Sequence, residues 1–194
     1  MSRVIFVSND KYILYSLSEE DRSNYLKLNA QIEGDSYILK KHSDYIWESV
    51  MEDTTNFYSI YDYQEEFCGV IELQKPNTLT PRIGISIVEK HRNKGITPIV
   101  VPMFTQKVSE LQNVEYFVIQ IAKSNSHSKH VFKKMGAELI GEQESSIITA
   151  MRKMLERSGG DEKIYKEYQI ALEEDDPICV YKLHTMQNYK YLIF

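Results

Sequence analysis

The stretch Ile83–Thr97, IGISIVEKHRNKGIT, constrains this chain more than any other. It opens as an apolar, β-branched run from Ile83 to Val88, which reads as a strand. It closes in a basic turn, Arg92-Asn93-Lys94-Gly95-Ile96-Thr97, and a long helical pattern follows at once. The first N–H groups of a helix have no partner inside it, and the helix dipole favours negative charge there. Strand, bare amides, then helix is therefore a recipe for holding an anion. Arg92 and Lys94 add positive charge beside those amides. Gly95 tolerates positive φ and lets a ligand approach the backbone, and Thr97 is too small to block it. Spacing alone leaves a second reading open, an ordinary solvated turn with two surface cations. It does exclude an ATP-type P-loop, because the G-x-x-x-x-G-K-[ST] spacing is absent.

Bulk properties narrow the surroundings of that turn. A chain of 194 residues is most simply one domain, 1–194, with a single core. Its 42% hydrophobic and 26% charged residues are those of a soluble globular protein. A formal net charge of -5 argues against nucleic acid as a partner. The 14 tyrosines then read as core and cleft lining rather than a base-stacking platform. Cys68 and Cys179 are too few for a disulfide scaffold or a structural zinc site, and each sits in an apolar run, as buried free thiols do. His127 and His130 stand at i, i+3 without an identifiable third ligand, so no metal is expected. No run approaches a membrane span and the N-terminus lacks a signal peptide, so no membrane partner is expected and the cytoplasm is the default.

Periodicity orders the rest. Lys11–Leu17 alternates as a strand. Ser18, followed by Glu19, Glu20 and Asp21, starts a helix that runs to about Ile32. Gly34-Asp35 breaks it, and a second helix spans about Asp44–Met51 with Tyr45, Ile46 and Trp47 turned inward. Asn56–Tyr63, Phe67–Gln74 and Ile83–Val88 read as three strands of an antiparallel meander, with Gln64-Glu65-Glu66 as a hairpin turn. Ile96–Leu111 is a helix with Pro98 in its first turn. Tyr116–Ala122 is a nearly continuous apolar run, as in a buried strand. Asn125 or Ser126 caps a further helix that stops at Gly136. Leu139–Ile148 reads as a strand. A polar, helix-prone excursion covers 149–176, broken at Ser158-Gly159-Gly160, before a final strand, Pro177–His184. The fold class is α+β, in α/β layers.

This order, with two motifs on the right elements, resembles the GNAT acetyltransferases over residues 11 to 184. The family's pyrophosphate motif, Gln/Arg-x-x-Gly-x-Gly/Ala, is matched by Arg92-x-x-Gly95-x-Thr97, with Thr97 in the last small position. The run-in Ile83-Gly84 through Val88 is the family's strand. The second motif is Asn125-x-x-Ser128-x-x-Val131-Phe132-x-Lys134-x-Gly136-Ala137, with one helix and one strand between the two. The Asn-x-x-Ser form looks most like the branch containing ribosomal-protein N-terminal acetyltransferases. The resemblance implies a mixed, mostly antiparallel, splayed sheet with helices on both faces, the gap lying between the Ile83–Val88 and Tyr116–Ala122 strands.

It also implies acetyl-CoA as cosubstrate. The pyrophosphate would sit on the amides of Asn93, Lys94, Gly95, Ile96 and Thr97. The pantetheine arm would pair with the backbone at Ile87 and Val88, one of whose N–H groups would receive the developing oxyanion. Asn125 would reach the pantetheine amides. The implied activity is acetyl transfer to a primary amine, on a small molecule or a protein N-terminus, by direct attack in a ternary complex. The chain departs from common members at three places. Phe132 stands where an acid tyrosine often lies, Gln120 where some members have a glutamate base, and Arg82 where an acid often begins the strand. Ser128 is then the candidate to assist the leaving thiolate, and Glu72 the candidate base. Helix packing or capping for Ser128, and an ion-paired strand position for Glu72, stay open as plainer readings. So does a non-catalytic acyl-CoA-binding module in place of an enzyme. Glu89 and His91 read as surface groups. Glu19, Glu20, Asp21, Glu33 and Asp35 hint at a cationic acceptor, although helix-start acids account for the first three. The apolar tail Tyr189–Phe194 is expected to dock on its own domain or on a second subunit, which would make a homodimer.

Overall fold

The computed structural model describes residues 3–33, 43–52, 57–157 and 159–185. Asp35 and the tail Tyr189–Phe194 lie outside them. The chain divides into two compact units, Met1–Phe117 with His184–Phe194, and Val118–Leu183.

The first unit is an antiparallel meander. Its strands are β1 (Ile5–Ser8), β2 (Tyr12–Ser16), β3 (Phe57–Asp62), β4 (Phe67–Gln74) and β5 (Arg82–Ile87), each paired with the next. Strand β1 has no counterpart among the strands expected from periodicity: it is four residues long and Ile5 is exposed, so it carries almost no apolar signal. The β3–β4 turn is fixed by the Asp62 carboxylate, which accepts the N–H groups of Gln64 at 3.0 Å and Glu66 at 2.9 Å. Helix α1 (Arg22–Glu33) follows a 3-10 turn, Glu19–Asp21, and α2 (Ser43–Glu52) precedes β3. A second 3-10 turn, Glu89–His91, leads from β5 towards α3 (Thr97–Leu111), with Pro98 in its first turn.

Successive strand residues point to opposite faces of a sheet. Phe57 and Tyr58 therefore face apart, and their contacts show what covers each side. The Phe57 ring meets Tyr25 of α1 at 6.3 Å. The Tyr58 ring meets Phe104 of α3 at 5.2 Å. Helices α1 and α3 thus lie on opposite faces of this meander. The α1 face buries Leu17, Leu28, Trp47, Val50, Tyr61, Phe67 and Val70 in one cluster. Trp47 turns inward as expected, but Tyr45 is 71% exposed. One turn of α2 can present only part of its circumference to the sheet, and Trp47 and Val50, three apart, take that side.

Asp21 is the fixed point of this face. It starts the helix as the sequence predicts, accepting the Ser18 N–H at 3.0 Å, but it is also fully buried. Ser59 donates to it at 3.2 Å and Tyr61 at 2.7 Å, and Arg3 lies 3.3 Å away. Burial, then the bond to Asp21, pushes the Tyr61 phenol up to about 12. Asp21 is spent on architecture and is not available to draw an acceptor.

The second unit holds β6 (Phe117–Ala122, shared at its first residue), α4 (Ser126–Lys134), β7 (Glu138–Gln143), α5 (Ser146–Arg157), α6 (Glu162–Glu173) and β8 (Ile178–Leu183). Strand β8 lies between β6 and β7, antiparallel to β7. The predicted strand Leu139–Ile148 is shorter than expected. It ends at Gln143, and Ile147-Ile148 belong to α5. The Ser145 hydroxyl accepts the Ile148 N–H at 3.3 Å, a capping contact that outweighs the β-branched pair. The 149–176 excursion resolves into α5 and α6, with Asp161 capping the latter. Both cysteines are free and buried. Among the described residues, no helix is long and apolar enough to cross a membrane, and no group of three His, Cys, Asp or Glu side chains could hold a metal ion.

Candidate active site

The basic turn leaves its backbone open. Arg92, Asn93, Lys94 and Gly95 are exposed, while Ile96 is buried as the anchor of α3. Asn93 and Gly95 adopt φ values of +61° and +72°. Turn conformations of this kind can present successive N–H groups to one anion. The first turn of α3 has no side-chain cap, and its Ile96 carbonyl is taken by Ile99 and Val100. Among the described residues, the N–H groups of Asn93–Thr97 meet no protein acceptor. A Cβ added at Gly95 would meet nothing within 4 Å. Unpaired amides, an unobstructed approach and two cations are what a doubly charged phosphate group requires. The Arg92 Nε donates to the Ile87 carbonyl at 3.2 Å, which folds this side chain back over the end of β5.

Val88 departs from the role expected of it. Its N–H donates to the Cys68 carbonyl at 3.0 Å, so it has no donor left for a thioester oxygen. In antiparallel pairing, adjacent residues alternate between facing the partner strand and facing away. Ile87, opposite Gly69, therefore directs its N–H to the other edge of β5. A Cβ at Gly69 would lie 3.1 Å from the Ile87 Cα, the close approach typical of a pair without mutual hydrogen bonds. Of the two expected donors, Ile87 is the one whose N–H is not committed to β4.

His91 also differs from its expected surface placement. It is 5% exposed, with Nε2 3.3 Å from a Glu66 carboxylate oxygen but out of line for a hydrogen bond. Burial, then the charges of Lys90 and Lys94, lowers its pKa from 6.5 despite the opposing pull of Glu66. The folded protein thus holds His91 neutral where the unfolded chain takes up a proton. Stability from this group is present above about pH 6.5 and is lost as the pH falls below it. A His91→Gln protein is expected to lose stability less steeply between pH 7 and pH 5, as urea unfolding at several pH values will show. An unchanged slope would remove His91 from the acid response.

Glu72 lies on the α1 face of β4, directly opposite Phe57 on β3 and Gly84 on β5. A Cβ at position 84 would stand 2.4 Å from Glu72 Oε1, so a larger residue there would displace the end of the carboxylate side chain. Gln74 Nε2 donates to that oxygen at 2.6 Å. Beneath α1 the carboxylate opens into a cavity of about 280 Å³ that Tyr25, Phe57 and Ser86 also line. Burial, then the Glu72 charge, raises the Tyr25 pKa, so the phenol stays protonated beside the carboxylate. A larger cavity of about 680 Å³ lies on the other side of Leu28 and includes Gln31 and Val88. The Gln31 side chain accepts the Glu89 N–H at 3.2 Å, tying α1 to the start of the basic turn. Glu72, Ile87, Val88 and Arg92–Thr97 are thus gathered in the first unit. Gly84 of the run-in strand joins them, with Phe57 and Tyr25, which no motif singles out: strand register places Phe57 opposite Glu72, and Tyr25 of α1 lines the same cavity.

Asn125 and Ser128 belong to the second unit. Asn125 caps α4, its Oδ1 accepting the Ser128 N–H at 3.0 Å, which leaves its amide NH2 as a donor. Ser128 is half-buried one turn in, and Phe132 on the same helix is buried. Gln120 is half-buried on β6.

Comparison with known proteins agrees with this architecture. Over 90% of this chain and 95% of that one, the fold matches a spermidine N-acetyltransferase chimera from Vibrio cholerae and hSSAT, with 15% identity and a TM-score of 0.65. It also matches the Vibrio cholerae spermidine N-acetyltransferase in complex with CoA and spermine, over 70% of this chain and 86% of that one, with 17% identity and a TM-score of 0.60. At such identities the likeness is one of fold. A search of curated proteins finds no sequence match. The family model for the acetyltransferase (GNAT) domain matches residues 11–138, a span that takes in β2 to β5 of the first unit, Glu72, the open turn, Asn125 and Ser128. With the fold, the open basic turn and this match in agreement, the chain belongs to the GNAT acetyltransferase family and is an acetyl-CoA-dependent acyltransferase.

Proposed function

We propose that the protein transfers an acetyl group from acetyl-CoA directly to a primary amine, with both bound at once. The observation that carries this reading is the run of unpartnered amides from Asn93 to Thr97, in the same unit as a carboxylate-bearing cavity. The cosubstrate supplies the activated acetyl thioester. Asn93, Lys94, Gly95, Ile96 and Thr97 hold its pyrophosphate through their N–H groups, with Arg92 and Lys94 supplying charge. The backbone at Ile87, which ends β5, and at Val88 just after it aligns the pantetheine arm, and the Asn125 amide donates to it. The Ile87 N–H is aimed where negative charge develops on the carbonyl oxygen. Glu72 takes the proton that an ammonium must lose before its nitrogen can attack. The Ser128 hydroxyl assists the sulfur as it departs.

The acceptor is cationic at neutral pH, which Glu72 and the spermine held by the Vibrio cholerae protein both favour. The Asn125-x-x-Ser128 pattern keeps a protein N-terminus among the candidates. Free, buried thiols fit a cytoplasmic enzyme. The test is free-thiol release from acetyl-CoA in the presence of small amines and N-terminal peptides. Release that depends on the acceptor is the expected result. No release with any amine, from a protein that binds acetyl-CoA, would put a non-catalytic acyl-CoA-binding module in its place.

A further inference from the structure

We propose that the cavity under α1 selects a primary monoamine with an apolar, ring-bearing body, and rejects polyamines. This rests on the reading of Glu72 as part of the acceptor site, and it goes further by naming the acceptor's chemistry. The cavity, about 280 Å³, is small. Among the described residues lining it, Glu72 is the one charged side chain. Its Oε1 is held in place by Gln74, and its side chain lies against Gly84. Two rings stand beside it: Phe57, its direct neighbour across the sheet, and Tyr25, edge-on to Phe57 at 87°. Leu28 and Val70, 2% and 8% exposed, close the apolar side.

A single ammonium finds there a carboxylate and aromatic faces, which attract cations. Its apolar body displaces water from rings and aliphatic walls. A second ammonium further along the ligand would face Leu28, Val70 and Phe57 without a counter-charge, and burying an unpaired charge is strongly unfavourable. The larger cavity beyond Leu28 offers no surplus of acid either, since Glu65 and Glu89 are matched there by Lys27 and Lys90. A polyamine therefore gains one favourable contact and loses hydration at its other charges.

The chain contains one tryptophan, Trp47, and its ring lies 5.8 Å from Tyr25, so its fluorescence reports on the cavity. The experiment is equilibrium titration of the full chain, saturated with coenzyme A, with 2-phenylethylamine, spermidine and a short N-terminal peptide. The expected result is binding of 2-phenylethylamine about tenfold tighter or more than of the other two. Phe57→Leu is expected to weaken 2-phenylethylamine by about two- to fivefold, as loss of an aromatic face beside its ammonium and ring does, and to weaken spermidine by a smaller factor. Spermidine or the peptide binding as tightly as 2-phenylethylamine overturns the proposal. Should Phe57→Leu not fold by its thermal melt, the parent's own affinity ratio decides. Turnover is read separately: selective binding of 2-phenylethylamine without acetyl transfer upholds this proposal and overturns the acetyl-transfer reading. Preferential acetylation of spermidine does the reverse.

Discussion

A Gly95→Glu protein is expected to fold and to lose acetyl-CoA affinity by about a hundredfold or more. The φ of +72° will strain any side chain at this position, by about 1–2 kcal/mol. Nothing lies within 4 Å of the new Cβ, so no packing is disturbed. The added carboxylate would stand beside the amides of Asn93–Thr97, the proposed seat of the pyrophosphate. Juxtaposed like charges are unfavourable by several kcal/mol, and each ~1.4 kcal/mol is a factor of ten in affinity. Gly95→Ala carries the same backbone strain without the charge and should retain much more binding. The pair, compared by calorimetry beside thermal melts, separates charge from conformation. Unchanged affinity in folded Gly95→Glu would remove the turn from the cosubstrate site.

The second large effect is kinetic. Glu72→Gln keeps the size of the side chain and an oxygen to accept from Gln74, but it cannot take a proton. If Glu72 is the base, kcat should fall by about 10²–10⁴-fold while the acetyl-CoA Kd stays within error. Ser128→Ala should lower kcat by a smaller factor, again without weakening acetyl-CoA, because an interaction confined to the transition state does not contribute to ground-state affinity. A fall in affinity and rate together would instead place Ser128 on the pantetheine arm. Parent-like turnover in either variant would take that residue out of the chemistry. Neither change is expected to unfold the protein: Glu72 is half-buried at a cavity, and alanine is the better helix former at position 128.

Those parts of the site that depend on local chain order are legible in the amino-acid sequence. The basic turn, its glycine, the proline in the first turn of α3 and the asparagine ahead of α4 are each defined by neighbours a few residues away. The meander's hairpin at Gln64-Glu65-Glu66 follows from the same kind of local chemistry. What depends on pairing across strands is not legible there. That Glu72 faces Gly84, or that the Val88 N–H is spent on Cys68, is a statement about register, and no spacing in one strand specifies its offset from another. His91 has the sequence context of a surface group because its neighbours Lys90 and Arg92 are charged, yet the 3-10 turn rotates it inward. Ile147 and Ile148 mislead in the opposite direction, their β-branching being overruled by one serine cap. Asp21 is recognisable as a helix-start acid, but its second duty, satisfying Tyr61 and Ser59 from another strand, is invisible to any local window.

The orientation of Ile87 has a consequence for how such a protein can change over time. The donor assigned to the reacting oxygen is a main-chain N–H, and nineteen of the twenty residue types would supply it equally well. The side chain at position 87 is thus free to drift, provided β5 keeps its offset against β4. What must be preserved is the offset, guarded at a distance by Gly69, where a Cβ would strike the Ser86 carbonyl at 2.1 Å. Proline alone at position 87 would erase the donor. A substitution at Gly69 that slides the strand would misplace it without touching the chemistry directly. Inheritance of the reaction in this fold is therefore inheritance of a strand alignment, written in residues that never meet the acetyl group.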